Sequence, residues 1–245
     1  MKKIIILIFL SLSNIFANSI TIAVASNVSY AMDELKEEFK KIHPEIKVRV
    51  TLGSSGKLTA QIKNGAPYGL FMSANMKYPN ALHEEKIAIT KPVVYAKGTL
   101  CYFSVKKRDF SKGIELLKSK NIKRISVANP KTAPYGVATK EALINAKIYD
   151  DIKSKFVYGE SISQTISYAL RATELGIVAT SSLYSSKMTH YKKNINWIEI
   201  DTNLYSPIKQ GLVLLKDTKE YKAFYDFLLG KKAKKIFKKY GYITS

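Results

Sequence analysis

The sequence predicts an α/β fold with mainly parallel sheets. Short β-branched runs alternate with amphipathic helices along the chain, and loops rich in Ser, Asn, Gly and Pro separate them. At 46% hydrophobic and 24% charged over 245 residues, the chain can bury one large core or two smaller ones, and the proportions exclude disorder and collagen-like repeats.

The elements follow in order. The β-branched run 19–25 reads as a strand and leads into a helix whose Met32, Leu35, Phe39 and Ile42 share one apolar face, ended by His43-Pro44. Residues 46–52 alternate as a half-buried strand, and Leu58 and Ile62 lie on a second helix. A short strand over 69–73 precedes a helix through Tyr78 and Leu82. Further strands fall at 91–97, 99–106, 123–128, 154–158, 175–179, 195–200 and 209–215. Helices fit near 111–119, 134–146, 161–172, 218–229 and 231–240. The extended stretches 90–106 and 198–215 have no helix between their halves. They can be paired crossovers between two lobes or adjacent antiparallel strands of one sheet.

The chain opens with a leader pattern. Lys2 and Lys3 precede an apolar run from Ile4 to Leu12, and Ala17 offers a small residue before the polar Asn18. This three-part arrangement is that of a secretory signal over residues 1–17, and the run is too short for a bilayer span. No cysteine follows the run to take a lipid. The expected mature product is exported, soluble and not embedded in a membrane.

A formal net charge of +21 suggests anionic partners. Nucleic-acid binding needs a basic stripe with stacking aromatics or a known module, and neither is present in a chain whose lysines are spread over nearly every segment. The densest cluster, 231–239, carries Ala233, Ile236, Phe237 and Tyr240 at helical spacing, so its lysines read as the solvated face of a packed helix. Cys101 stands alone, and His43, His83 and His190 share no ligand-like spacing, so the residues support neither a disulfide framework nor a directly ligated metal cation.

Chemistry is expected where strands end and helices begin, because free N–H groups and helix dipoles converge there. Four loops occupy such positions: Ser26-Asn27-Val28-Ser29, Gly53-Ser54-Ser55-Gly56, the stretch from Asn129 through Ala133-Pro134-Tyr135-Gly136, and Gly159-Glu160-Ser161-Ile162-Ser163. Any one of them can be a simple cap; four on successive units favour a cradle for a small oxyanion. The second loop fails as a nucleotide phosphate loop, since Thr51 stands where glycine is required and Leu58 follows Lys57. Ser54 and Ser55 lack a nucleophile-elbow sequence, which leaves an exported serine hydrolase as a poor alternative.

Several blocks together resemble the ModA family of periplasmic molybdate-binding proteins of ABC transporters. They are Ala25-Ser26-Asn27, Gly53-Ser54-Ser55-Gly56-Lys57-Leu58, Gln61 to Pro67, Phe71-Met72-Ser73-Ala74-Asn75, Ala133-Pro134-Tyr135-Gly136, Gly176-Ile177-Val178 and the stretch from Ala223 to Gly241. The resemblance implies a two-lobed type II periplasmic binding protein, with residues 18–95 plus 207–245 as one lobe, 96–206 as the other, and hinges near 95–96 and 206–207. It implies a monomer that is not an enzyme and has no cofactor. It would capture molybdate or tungstate as the oxyanion and deliver it to a membrane permease, with a sulfate or other-oxyanion receptor as the alternative. The family's contacts carry over onto Ser26, Asn27, Ser55, Tyr135 and Ile162, with side-chain donors expected from Asn27 and Ser55 and backbone N–H groups from Tyr135 and Ile162. Two positions depart from the family: Gly69 replaces an Asp, and Ala179 stands where some members have a ligand-binding Tyr.

Overall fold

The computed structural model describes residues 18–244, so the expected leader lies outside the described residues. The chain begins with β1 (Asn18–Ala25), α1 (Ser29–Lys40), β2 (Ile46–Gly53), α2 (Ser55–Lys63), β3 (Leu70–Ser73), α3 (Lys77–Glu84) and β4 (Val93–Gly98). It then crosses to β5 (Leu100–Phe103), β6 (Ile125–Ala128), α4 (Pro134–Asn145), α5 (Tyr149–Ile152), β7 (Phe156–Gly159), α6 (Ile162–Arg171), β8 (Leu175–Ala179) and β9 (Trp197–Glu199). It returns through β10 (Ile208–Leu214) to α7 (Lys219–Leu229) and α8 (Lys231–Lys239).

Two five-stranded sheets result, ordered β2-β1-β3-β10-β4 and β7-β6-β8-β5-β9. The expectation of mainly parallel sheets needs correction. In each sheet a parallel half (β2, β1, β3 or β7, β6, β8) meets an antiparallel half, β10 with β4 or β5 with β9. The antiparallel strands are those of the two long extended segments. Both readings of those segments apply: β4 and β10 pair with each other, and each also leads across to the other sheet. The chain changes sheet between Gly98 and Leu100, and again between Glu199 and Ile208.

Each lobe has its own apolar core. In the first, Ile22, Val24, Leu35 and Phe39 pack with Phe224 and Phe237, and the Phe39 and Phe224 rings meet edge-on at 4.8 Å. In the second, Leu100, Ile125, Leu143 and Ile177 are fully buried. On α8, Ala233, Ile236 and Phe237 face the core while the lysines point outward, Lys239 pairing with Glu34 at 2.7 Å. Ile42 does not join the first core: α1 ends at Lys40, and Ile42 stands half exposed beyond it. The helix expected near 111–119 is a 3-10 segment, Gly113–Lys118, and the 3-10 turns over 180–188 have no counterpart in the sequence expectations.

Register places the site. Ala25 at the end of β1 lies opposite Gly53 at the end of β2, and Ala128 at the end of β6 lies opposite Gly159 at the end of β7. The loops that follow these four residues face each other across one cleft.

Candidate functional site

All five expected residues line one small cleft, together with Ser54, Ala74 and Ala133. The cleft is small, with about 180 Å³ of free space including the part open to solvent, and no charged side chain lines it. Ser26 and Asn27 open the turn that feeds α1, Ser55 is the first residue of α2, Tyr135 the second of α4 and Ile162 the first of α6. First-turn N–H groups have no carbonyl partner within their own helix, so each of these positions offers a donor at the positive end of a helix dipole. Pro134 fits the first position of α4, where a missing N–H costs nothing.

Side-chain partners separate the five. The Ser55 hydroxyl accepts from the Ala74 N–H at 2.9 Å, which fixes its direction and leaves its own proton to donate. Ser54 Oγ is buried without a partner. Asn27 departs from its expected role: both Nδ2 protons are engaged, one by Gln210 Oε1 at 2.7 Å and one by the Tyr242 hydroxyl at 2.8 Å. What Asn27 has left to offer an anion is its backbone N–H, and its Oδ1 is buried without a donor. The Tyr135 phenol points away from the helix start, where its oxygen accepts from Gln210 Nε2 at 3.1 Å. Burial holds the Tyr135, Tyr95 and Tyr242 phenols above their ordinary pKa, so all three stay protonated.

The two lobes are in contact around the cleft. The Gly56 N–H donates to the Thr132 carbonyl at 2.9 Å, the Ser163 hydroxyl to the Ser26 carbonyl at 3.0 Å, and the Ser181 hydroxyl to the Asn27 carbonyl at 3.1 Å. Beside the cleft loops, Lys57 and Glu160 form an ion pair at 2.8 Å. Gly56 permits this approach, since a Cβ there would stand 2.9 Å from the Thr132 carbonyl oxygen.

The serine nucleophile finds no base in this arrangement. None of His43, His83 and His190 lines the cleft, and the Ser55 hydroxyl meets a backbone N–H. Among the described residues no group of His, Cys, Asp and Glu could hold a metal ion. Gly69 lies before β3, at the end of that strand away from the cleft, and the Tyr221 ring fills the place of its missing side chain. Ala179 is buried at the end of β8 and does not line the cleft. Sequence reasoning missed Gln210, Tyr95 and Tyr242. The one available signal was Gln210 itself, a polar residue two positions from both Ile208 and Leu212 in a strand whose other polar side chain is Lys209; once buried, Gln210 has to find partners.

The chain matches the family model for bacterial extracellular solute-binding proteins over residues 20–243. It is 35% identical over 232 residues to the molybdate-binding protein ModA of Azotobacter vinelandii, covering 92% of this chain and 90% of that one. It is 33% identical over 233 residues to ModA of Rhodobacter capsulatus, covering 93% and 89%. Its fold matches the solved structure of the Azotobacter vinelandii periplasmic molybdate-binding protein with a TM-score of 0.84 and 30% identity, over 92% of this chain and 99% of that one. Among the described residues no helix is long and apolar enough to cross a membrane.

Proposed function

The chain belongs to the bacterial extracellular solute-binding proteins, and from that premise we propose that it captures molybdate or tungstate in the cleft between its lobes and passes the oxyanion to the membrane permease of an ABC transporter. In this reading it works in the periplasm as a monomer after loss of residues 1–17, catalyses no reaction and needs no cofactor. On the same reading the lobes turn not about the expected 95–96, which lies inside β4, but about Gly98–Leu100 and the 200–207 segment, which includes the expected 206–207. The anion meets Ser26, Asn27, Ser54 and Ser55 from one side and Tyr135 and Ile162 from the other.

One observation carries the reading: four helix starts converge on one small cleft with no charged lining. Molybdate and tungstate present only acceptors, so N–H and O–H groups fixed in a closed site suit them without any lysine or arginine. Sulfate has the same charge and only its size distinguishes it. A second reading, a protonated oxyanion such as hydrogen phosphate, is favoured by Asn27 Oδ1, a buried acceptor with no donor.

Isothermal titration with molybdate, tungstate, sulfate and phosphate decides between them. Tight binding of molybdate and tungstate alone supports the reading. Binding of sulfate or phosphate with no response to molybdate overturns it.

A further inference from the structure

Beneath the hinge strand lies a buried polar cluster that the donors of the cleft do not account for. Gln210 on β10 is fully buried. Its Oε1 accepts from Asn27 Nδ2 at 2.7 Å and from the Tyr95 hydroxyl at 3.0 Å, and its Nε2 donates to the Tyr135 hydroxyl at 3.1 Å. Asn27, Tyr95 and Gln210 belong to the first lobe and Tyr135 to the second, so one amide joins the two lobes beside the crossover.

Gly98, the last residue of β4 before that crossover, has the shape this cluster needs. A Cβ at Gly98 would stand 2.0 Å from the Tyr135 hydroxyl oxygen and 2.7 Å from Gln210 Nε2. The phenol therefore occupies the space where a hinge side chain would sit. Gly98 does not have a positive φ, so an alanine there would be excluded by this contact and not by its backbone.

We propose that Gln210 is a positioning residue for anion capture: docking of the Tyr135 phenol beneath Gly98 completes the hydrogen bonds of the Gln210 amide, and that amide braces Asn27 in the turn that lines the cleft. The proposal rests on the oxyanion reading above. A side-chain amide has one donor end and one acceptor end. With Nε2 held by the phenol and Oε1 by Asn27 Nδ2 and the Tyr95 hydroxyl, both ends of the amide are fixed; when the lobes part and the phenol withdraws, only the Oε1 end stays held. Closure then tightens the hold on Asn27, which adds to the differential affinity by which the anion favours the closed form.

The test compares wild type with Tyr135→Phe, Gln210→Met, the double variant and Gly98→Ala, using sodium molybdate in calorimetry and stopped-flow mixing, and small-angle scattering without ligand. Tyr135→Phe removes only the phenol oxygen and keeps the ring and the backbone N–H, so it tests the proposal even where Gln210→Met fails to fold. Each single variant should weaken binding by about fivefold or more, mainly through faster dissociation. The double variant should lose no more than the weaker-binding single, because both remove ends of one bond. Additive losses, or wild-type affinity in Tyr135→Phe, would overturn the proposal. If wild type itself does not bind molybdate, the oxyanion reading fails separately, and scattering decides the hinge contact alone. A larger radius of gyration for Tyr135→Phe and Gly98→Ala than for wild type supports the proposal, and identical profiles overturn it.

Discussion

The two walls of the cleft are made from the same part, a strand end running into a helix start, yet they present different chemistry. The first lobe brings small polar side chains, Ser26, Ser54 and Ser55, to the surface of the cleft. The second brings Tyr135 and Ile162, whose side chains go elsewhere: the phenol to Gln210 and the isoleucine into the apolar core. One wall can donate through side chains and backbone, the other through backbone alone. The difference predicts which substitutions each wall tolerates.

The largest effect is expected from Ser55→Ala. Removing a donor to a charged ligand costs about 1.5–3 kcal/mol, or roughly ten- to a hundredfold in affinity. The Ala74 N–H also loses its buried acceptor, so stability should fall by about 1–3 kcal/mol in denaturant titrations. Wild-type affinity in this variant would reduce Ser55 to a helix start with no part in the site.

On the opposite wall the side chain should matter less than the N–H. Ile162→Val should bind molybdate as wild type does. Ile162→Pro deletes the backbone donor together with part of a buried side chain, while proline suits the first helical position and Ser161 before it is already extended (φ −138°, ψ 165°). Its affinity should drop about tenfold or more below that of Ile162→Val, with a lower melting temperature from the lost apolar packing. Equal affinities for the two variants would show that the second lobe does not donate there, and the contrast between the walls would collapse.

Salt should act more weakly, and on association. The excess positive charge attracts a dianion from a distance, and the Debye length falls from about 10 Å at 0.1 M to about 3 Å at 1 M salt. Dissociation should hold nearly constant in stopped-flow measurements, since the cleft has no charged lining. A salt effect residing in dissociation would place Lys57 on the anion in preference to Glu160.

The smallest expected effect is that of pH. The Tyr95, Tyr135 and Tyr242 phenols are raised by burial, so each is protonated in the folded protein throughout the neutral range. Affinity should be flat from about pH 6 to 9. Because the folded pKa values lie above the unfolded ones, their contribution to stability is complete below the unfolded value of about 10 and declines as pH rises past it. A fall in affinity within the neutral window would reveal a titrating group in contact with the anion.

The same contrast explains what could be read from the sequence. Strand and helix positions follow from local periodicity, and the four loops were legible because Ser, Asn, Gly and Pro mark helix starts. Ser26, Asn27 and Ser55 belong to such marked loops. Ile162 carries no chemical signature of its own, since a backbone N–H is common to almost every residue, and it was reached only through resemblance. The antiparallel pairing of β4 with β10 was one of two open readings of the extended segments, left open because periodicity gives a strand but not the direction of its neighbour. The engagement of Asn27 escaped because Tyr242 lies 215 positions away, a pairing no local pattern records.

That separation has a consequence for how the protein is made. A chain that emerges from its amino end exposes the Ser26–Val28 turn early, yet the hydroxyl that holds the Asn27 carbonyl at 2.8 Å arrives only with Tyr242. Tyr242 is itself anchored by its neighbour Ile243, which exchanges two backbone hydrogen bonds with Lys97 on β4 at 2.8 and 2.9 Å. Assembly of the cleft is therefore postponed until nearly the whole chain has been delivered, and an interrupted translation product would have most of both lobes and an incomplete first wall.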